Sequence, residues 1–312
     1  MEFFRTDTHI EFMGKRQLMA LVLAALIATS VGAIVLRGLA LGLDFTGGTL
    51  IEVDYSAPVE LTDVREQLLQ GGFTDTVVQH FGSPRDVMVR LAPRVDEDNA
   101  QLSNRVLAVL QESSTDPVEM RRVEHVGAQI GEELTEQGGL AMLFALTGIL
   151  IYVAVRFEWR FAAGAVLATV HDTVFTLGGF ALFVIESDLT VLAALLAVIG
   201  YSLNDTIVVF DRIRENFRRM RTGTVIDVMN VSINQTLSRT IMTSGTTLLV
   251  VLSLFIFGGQ VIHGFALALI VGIMIGTVSS IYVASPLALW LGISRATMAV
   301  RKKPEEEADG RP

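Results

Sequence analysis

The sequence predicts an α-helical polytopic membrane protein with six transmembrane helices and a small α+β domain between helices 1 and 2. Hydrophobic residues make up 51% of the 312 residues and charged residues only 18%, with a mean hydropathy of +0.52. The apolar residues are gathered in blocks long enough to cross a bilayer, which takes about 20 residues per helix. Between the first two blocks the pattern changes to short amphipathic pieces, which are typical of a folded domain outside the membrane.

Each apolar block is interpreted as one membrane span. In chain order the predicted spans are Leu18–Leu36, Leu140–Val155, Phe161–Ile185, Leu189–Phe210, Thr240–Phe257 and Phe265–Leu291. They divide the chain into a cytoplasmic N-terminus (1–17), a first helix (18–36), an outer domain (37–137), a five-helix bundle (138–292) and a charged cytoplasmic tail (293–312).

The first block follows Lys15 and Arg16, so a cleaved secretory signal is an alternative to a membrane anchor. Its apolar run is longer than the ~7–15 residues of a signal core, and Arg37 ends it where a cleavage site needs small residues. We therefore expect a retained anchor.

Orientation follows from Lys and Arg in the short loops, because cytoplasmic loops are enriched in these residues. The loops Glu186–Asp188 and Gly258–His263 contain neither. Basic residues lie at the opposite ends of the spans: Lys15, Arg16, Arg156, Arg160, Arg212, Arg214, Arg218, Arg219, Arg221, Arg301, Lys302 and Lys303. Both termini are thus expected in the cytoplasm, and residues 38–137 on the outer side.

The outer domain shows the periodicities of strands and helices in the order β-α-β-β-α-β. This order predicts a ferredoxin-like α+β fold. The predicted elements are Thr49–Tyr55, Leu61–Leu69, Thr76–Phe81, Val87–Leu91, Asn99–Leu110 and Val118–Val126, with a turn at Gly82–Arg85. His80 and the scattered carboxylates are interpreted as a solvated surface.

Composition argues against several classes of function. The net charge of −9 arises in the outer segment and does not favour nucleic-acid binding. The sequence has no Cys, which excludes disulfides and thiolate metal sites. No phosphate-binding loop, His-Glu-x-x-His or nucleophile elbow is present. We expect no enzyme, catalytic residue, cofactor or metal site, and an energy source that is a gradient.

The segment Gly200–Asn216 places Asn204 and Asp205 within an apolar span. A carboxylate at the centre of a membrane helix costs roughly 2.5–3.5 kcal/mol on insertion scales, so it usually faces a partner, a cavity or an ion path. Tyr201, Asp205 and Arg212 share one helix face.

Two other spans carry polar residues that are expected to face the same interior. The fifth span has Arg239 at its cytoplasmic start and a stripe of hydroxyls, Thr236, Thr240, Thr243 and Thr247. The third span has His171 and Asp172 near its centre. Lipid does not solvate such groups, so they should meet inside the bundle.

A proton path needs a carboxylate whose affinity for protons changes between two environments, and a nearby Arg favours its ionised form. Asp205 as the proton-binding group and Arg239 as the cation satisfy this requirement, with the threonine hydroxyls ordering water between them. The alternatives are a structural Asp205–Arg239 ion pair, hydroxyls that only pack helices, and a His171–Asp172 hydrogen bond that only stabilises packing.

The sequence Leu43–Thr49 (LDFTGGT) joins the first span to the outer domain and contains Asp44, Phe45, Thr46, Gly47 and Gly48. Adjacent glycines allow a turn or a close backbone approach. A simple connector between helix and strand is the alternative interpretation.

Together, LDFTGGT and GYSLNDTIVVFDRIREN (Gly200–Asn216) resemble the signature segments of the SecF protein-export membrane proteins, in the SecD/SecF family of the resistance-nodulation-division superfamily. The resemblance covers essentially the whole chain. It implies a subunit of a SecD–SecF complex in the bacterial inner membrane, driven by the proton-motive force. The complex assists export of a translocating polypeptide together with the SecYEG channel and the ATPase SecA.

The resemblance also implies that Asp205 and Arg239 are proton-transport residues and that their partner carboxylate lies on SecD. Because no SecD-like half is present in this sequence, we expect the chain to hold only part of the path. Two other functions remain open: a structural scaffold that stabilises the translocon, and a small-molecule exporter of the related transporter superfamily.

Overall fold

Six apolar helices long enough to span a membrane dominate the fold of the protein. The computed structural model describes residues 8–294, except 75, 94–98, 115–116 and 221. In chain order the helices are α1 (Arg16–Arg37), α2 (Leu43–Thr46), α3 (Leu61–Gln70), α4 (Asn99–Ser113), α5 (Ala128–Arg156), α6 (Trp159–Phe183), α7 (Leu189–Arg219), α8 (Val225–Phe257), α9 (His263–Ser279) and α10 (Ser285–Trp290). The spans are α1, α5, α6, α7, α8 and the α9–α10 pair, so the predicted six-helix membrane fold is confirmed.

Two spans continue as helix well beyond their apolar parts. The fourth predicted span ends at Phe210, whereas α7 continues to Arg219. Residues 211–219 therefore continue the membrane helix beyond the predicted end of the span. The helix α8 starts at Val225, where Thr224 and Asp227 form a capping box: each backbone N–H donates to the other residue's side chain. The start of α8 is therefore set by its capping box and not by the lipid boundary that hydropathy marks.

The sixth span is interrupted, although the sequence predicts one continuous run from Phe265 to Leu291. The helix widens to π form over Ser280–Ala284, between α9 and α10. Pro286 lies at the start of α10 and cannot donate an N–H to the preceding turn, so the regular ladder cannot pass through it. The Ser285 hydroxyl donates to the Ser280 carbonyl oxygen, 2.9 Å away, and so satisfies one carbonyl of this segment.

The outer domain is the predicted ferredoxin-like α+β unit. Its strands are β1 (Gly48–Tyr55), β2 (Thr76–Phe81), β3 (Ser83–Leu91) and β4 (Val118–Val126), in the spatial order β2-β3-β1-β4 with every pairing antiparallel. The hairpin turns at Gly82 alone, so Ser83–Arg85 belong to β3 and not to the predicted turn. The side chains of β1, β3, α3 and α4 form one apolar core, and His80 is exposed, as expected.

The helix α7 lies at the centre of the bundle. Half of its most apolar stretch is buried, compared with 17% in α1 and 6% in α5. It packs against α6, α8 and α9, and the ring of Phe210 on α7 contacts that of Phe161 on α6 with centroids 4.7 Å apart. Any polar side chain on the inner faces of α7 is thus enclosed by protein.

The contact between α1 and α6 provides a test of this packing. A Cβ at Gly178 would overlap the backbone and side chain of Ser30, whereas a Cβ at the neighbouring Gly179 would meet nothing within 4 Å. We expect Gly178→Ala to lower the melting temperature of the detergent-solubilised protein. Gly179→Ala should leave it unchanged or raise it, because Ala is better than Gly in a helix by roughly 1 kcal/mol. Equal melting temperatures for the two variants would contradict this helix contact.

Candidate functional site: two buried carboxylates in the helix bundle

Asp205 lies on α7 at the meeting point of three spans. Its side chain is buried, with the residue 6% exposed. Oδ1 accepts a hydrogen bond from the Thr240 hydroxyl of α8 at 2.6 Å, and Oδ2 accepts one from the Ser280 hydroxyl of the π segment at 3.0 Å. The carboxylate that the sequence marked as costly in lipid is therefore held by hydroxyl groups from two neighbouring helices.

Asp172 forms a second centre of the same kind on α6 and is fully buried. Its Oδ2 accepts hydrogen bonds from Ser202 on α7 at 2.5 Å and from Ser279 on α9 at 2.7 Å. Its Oδ1 lies 3.0 Å from Nδ1 of His171. The His171–Asp172 contact is present as the sequence suggested, and it belongs to a larger cluster that joins α6, α7 and α9.

Two pairs of nearby residues link the centres around Asp172 and Asp205. Ser279 and Ser280 are neighbours at the end of α9, and each donates to a different carboxylate. Ser202 and Asp205 lie one turn apart on α7 and share a face. A hydroxyl both donates and accepts hydrogen bonds, so such groups can rearrange when a carboxylate gains or loses a proton.

Arg239 does not pair with Asp205. Its side chain is exposed on α8, and no salt bridge of Arg239 is found among the residues that the structure describes. The structural ion pair considered from the sequence is thus not formed in this arrangement. Arg239 immediately precedes Thr240, whose hydroxyl donates to Asp205, so the cation is next to this donor in the sequence.

Two of the four hydroxyls predicted to form a stripe on α8, those of Thr236 and Thr240, are buried. The buried hydroxyls are those of Ser232, Thr236, Thr240 and Ser244, spaced four residues apart. Thr243 is exposed and donates to the Arg239 carbonyl oxygen, and Thr247 donates to the Thr243 carbonyl oxygen. Thr243 and Thr247 thus bond within their own helix and do not contact the Asp205 carboxylate in this chain, and their part in the path stays a prediction. Polar residues occur on more than one face of α8, so the spacing did not fix which face is inside.

The remaining predicted residues of α7 do not contact the Asp205 carboxylate. Asn204 is exposed. Tyr201 is half-buried against an apolar cluster that includes Val251 and Ile273, and its hydroxyl has no hydrogen-bond partner within the described part of the chain. Sequence reasoning missed Ser279 and Ser280, and their only signal was a serine pair shortly before Ser285 and Pro286 in an apolar run.

The LDFTGGT segment forms the short helix α2 and the glycine turn after it. Gly47 and Gly48 have φ values of +66° and +120°, which L side chains rarely adopt. A Cβ at Gly47 would lie 2.8 Å from the Cα of Ala128 in α5, and one at Gly48 would overlap the carbonyl oxygen of Leu91 in β3. The glycines therefore allow the start of β1 to pass between the start of α5 and the end of β3. The LDFTGGT segment is thus tightly packed and is not a simple connector.

No metal site is apparent in residues 8–294 outside the stated gaps, because no three His, Asp or Glu side chains converge there.

Family models match most of the chain. The model described as "Protein export membrane protein SecD/SecF, C-terminal" matches residues 106–294, and the "SecD/SecF GG Motif" matches residues 32–59. The chain belongs to the SecD/SecF family. The second match contains the LDFTGGT segment, and the first contains both buried carboxylates.

Relatives of the SecF type match over nearly the full length. The chain is 53% identical to the protein translocase subunit SecF of Vibrio alginolyticus over 99% of this chain and 97% of the relative. It is 50% identical to that of Escherichia coli O157:H7, over 93% and 88%. The resemblance to SecF is thus confirmed, and relatives of this type are named as protein translocase subunits, a transport role and not an enzymatic one.

Solved structures show the same fold. The crystal structure of SecDF from Thermus thermophilus, titled a translocon-associated membrane protein, superposes with a TM-score of 0.84 at 38% identity, covering 93% of this chain. A structure titled SecDF in a super-membrane-facing form gives a TM-score of 0.69 at 38% identity. The chain spans 39% and 41% of the lengths of these two proteins.

The hydrogen bonds around Asp172 lead to a stability prediction. In Asp172→Ala the Ser202 hydroxyl loses its acceptor, and a buried polar group left without a partner costs roughly 1–3 kcal/mol. We expect this variant to melt at lower temperature in detergent than wild type, and Asp172→Asn, which keeps an acceptor oxygen, to melt closer to wild type. Asp211→Ala is the control, since Asp211 is exposed on the same bundle. If Asp172→Ala melted like Asp211→Ala, Asp172 would not stabilise the helix contacts.

Proposed function

We propose that the protein is a subunit of a SecD–SecF complex that uses the proton-motive force to assist polypeptide translocation through the Sec channel. The observation that carries this proposal is Asp205, a buried carboxylate in the central span whose described partners are hydroxyl groups. Such a carboxylate can take up and release a proton without breaking a salt bridge. One proton crossing 100 mV yields about 2.3 kcal/mol, enough to shift a two-state equilibrium more than tenfold.

In this proposal Arg239 is the cation that modulates Asp205. Its exposure in the single chain supports a second subunit at this position, because lipid does not solvate a charged side chain. Asn204 and Thr243 are exposed on the same two helices, α7 and α8. We assign the partner covering Arg239 to SecD, which would supply the second carboxylate of the path.

We place the complex in the bacterial inner membrane, with both termini in the cytoplasm and residues 38–137 in the periplasm. The absence of Lys and Arg from the loops at 186–188 and 258–263 supports this orientation. The outer domain is then on the side where the polypeptide emerges from SecYEG, after SecA has driven it into the channel. We propose that this domain moves and handles the emerging chain.

The first test compares wild type with Asp205→Asn in inverted membrane vesicles that contain the partner subunit. Because Asn cannot carry the proton, we expect the gradient-dependent part of export to be lost while the amount of assembled complex stays normal. Asp211→Asn, an exposed residue of the same helix, is the matched control and should export like wild type. Unchanged export by Asp205→Asn would remove the proton-relay proposal.

A second pair of variants tests the geometry around Asp205. Thr240→Val removes the 2.6 Å hydrogen bond to Asp205, whereas Thr243→Val removes only a bond to its own helix. We expect gradient-driven export to fall about tenfold in Thr240→Val, the effect of losing one hydrogen bond to a charged group. Thr243→Val should fall by less. The reverse order would place the working hydroxyl on the exposed face of α8.

The structural scaffold is a second candidate, favoured by the Asp172 cluster, which joins three helices. A scaffold predicts that changes at Asp205 reduce assembly and export together. Measuring both quantities in the same vesicles therefore separates the two functions.

A further inference from the structure

The first turn of α7 is held by two carboxylates, one from the residue before the helix and one from a distant part of the chain. The first N–H groups of a helix have no partner within it. Asp188, the residue before α7, accepts the N–H of Val191 at 2.9 Å, which is an ordinary local cap. The N–H of Leu189 instead donates to Oδ2 of Asp44 at 3.0 Å. Asp44 lies in the LDFTGGT segment, so that segment holds the start of the helix that carries Asp205.

A backbone connection accompanies the Asp44 contact. The N–H of Ser187 donates to the Ala40 carbonyl oxygen at 2.7 Å, and the N–H of Gly42 donates to the Ser187 carbonyl oxygen at 2.8 Å. Leu41 and Ser187 thereby form a short parallel bridge. The loop before α7 is thus bonded to the chain leading into the outer domain.

The outer domain also reaches this loop directly through side chains. Arg90 of β3 donates to the Leu41 carbonyl oxygen at 2.7 Å and lies 3.2 Å from Oε1 of Glu186. Gln79 of β2 donates to the other oxygen of Glu186 at 2.9 Å. Two strands of the outer domain therefore hold the loop that precedes α7.

The LDFTGGT segment has little freedom to move alone. Gly47 contacts the start of α5 and Gly48 contacts the end of β3, at distances that leave no room for a side chain. The helix α7 runs unbroken from Leu189 past Asp205, about 24 Å at 1.5 Å per residue. The outer domain is therefore connected, through these contacts and a continuous helix, to Asp205.

We propose that Asp44 is a positioning residue that couples movement of the outer domain to the helix bearing Asp205. This inference rests on the proposed proton-driven function. It goes beyond that function by naming the contact through which the proton site and the outer domain act on each other. Asp188 is the matched control. It caps the same helix from the position directly before it, and its cap does not connect α7 to the outer domain.

The experiment measures proton flux and gradient-driven export together, in vesicles containing the full chain and its partner subunit. In Asp44→Ala we expect export to fall about tenfold, the effect of losing one hydrogen bond to a charged group. Proton flux should stay near wild type, so transport is uncoupled from export. Asp44→Asn keeps an acceptor oxygen and should restore much of the export. Asp188→Ala should keep both activities.

Three results would overturn the proposal: unchanged export in Asp44→Ala, equal losses in Asp44→Ala and Asp188→Ala, or loss of proton flux together with export. The last pattern is the one expected for Asp205→Asn, so failure of the coupling role differs from failure of the proton site.

A second measurement does not depend on transport. The sequence has no Cys, so spin labels can be placed at two introduced cysteines without background. Val77 on β2 and Val184 before the α7 loop are both exposed. We expect the distance distribution between labels at these positions to broaden in Asp44→Ala and to stay narrow in Asp188→Ala. Identical distributions in the two variants would show that Asp44 does not hold the outer domain to the helix.

Discussion

The burial of two carboxylates inside a helix bundle is the constraint on which the arrangement of the spans depends. A carboxylate is costly in a low-dielectric interior unless its oxygens are hydrogen-bonded. Asp172 takes its partners from α7 and α9, and Asp205 takes its partners from α8 and the π segment. Satisfying both groups therefore fixes four of the six spans relative to one another. The peripheral helices α1 and α5 carry mainly apolar residues and have no such requirement.

The interruption of the sixth span has a role in the same arrangement. Consecutive residues of a regular α-helix point about 100° apart, so two neighbouring serines rarely both donate to carboxylates in the interior of a bundle. Ser279 ends the regular helix and Ser280 begins the π segment, and they donate to Asp172 and Asp205 respectively. Pro286 explains why the ladder changes there. Single-turn π bulges are often found at functional sites, in agreement with this placement.

The sequence predicted the features that follow from whether a residue faces lipid, water or the core. Hydropathy located the spans because each must be long enough to cross the bilayer. Alternation of polar and apolar residues located the strands because successive side chains point to opposite faces of the sheet. Asp172 and Asp205 were recognisable because a carboxylate in a span is costly. The helical phase of α8 is set by packing against its neighbours, so the spacing of its threonines did not show that Thr243 lies on an exposed face. Serines in a membrane helix often only pack, so Ser279 and Ser280 gave no distinct signal.

The contact between Asp44 and α7 could not be predicted for a more general reason. Its partner is the backbone N–H of Leu189, a group that every residue except proline carries. The sequence shows a conspicuous LDFTGGT segment, but a backbone donor far along the chain leaves no trace in residue types. Gly47 and Gly48 predicted a close approach correctly, yet they did not reveal that α5 and β3 are the neighbours.

The hydroxyl partners of Asp205 bear on how a proton site can work inside a membrane protein. A permanent buried salt bridge would bind the ionised form tightly, and breaking it would leave an uncompensated charge. Hydroxyl groups stabilise the ionised carboxylate as donors and can accept a hydrogen bond from the protonated form after a rotation about one bond. In the proposed relay, Asp205 changes its protonation state without losing these hydroxyl neighbours. The proposal therefore requires no break in the helix bundle when the proton binds or leaves.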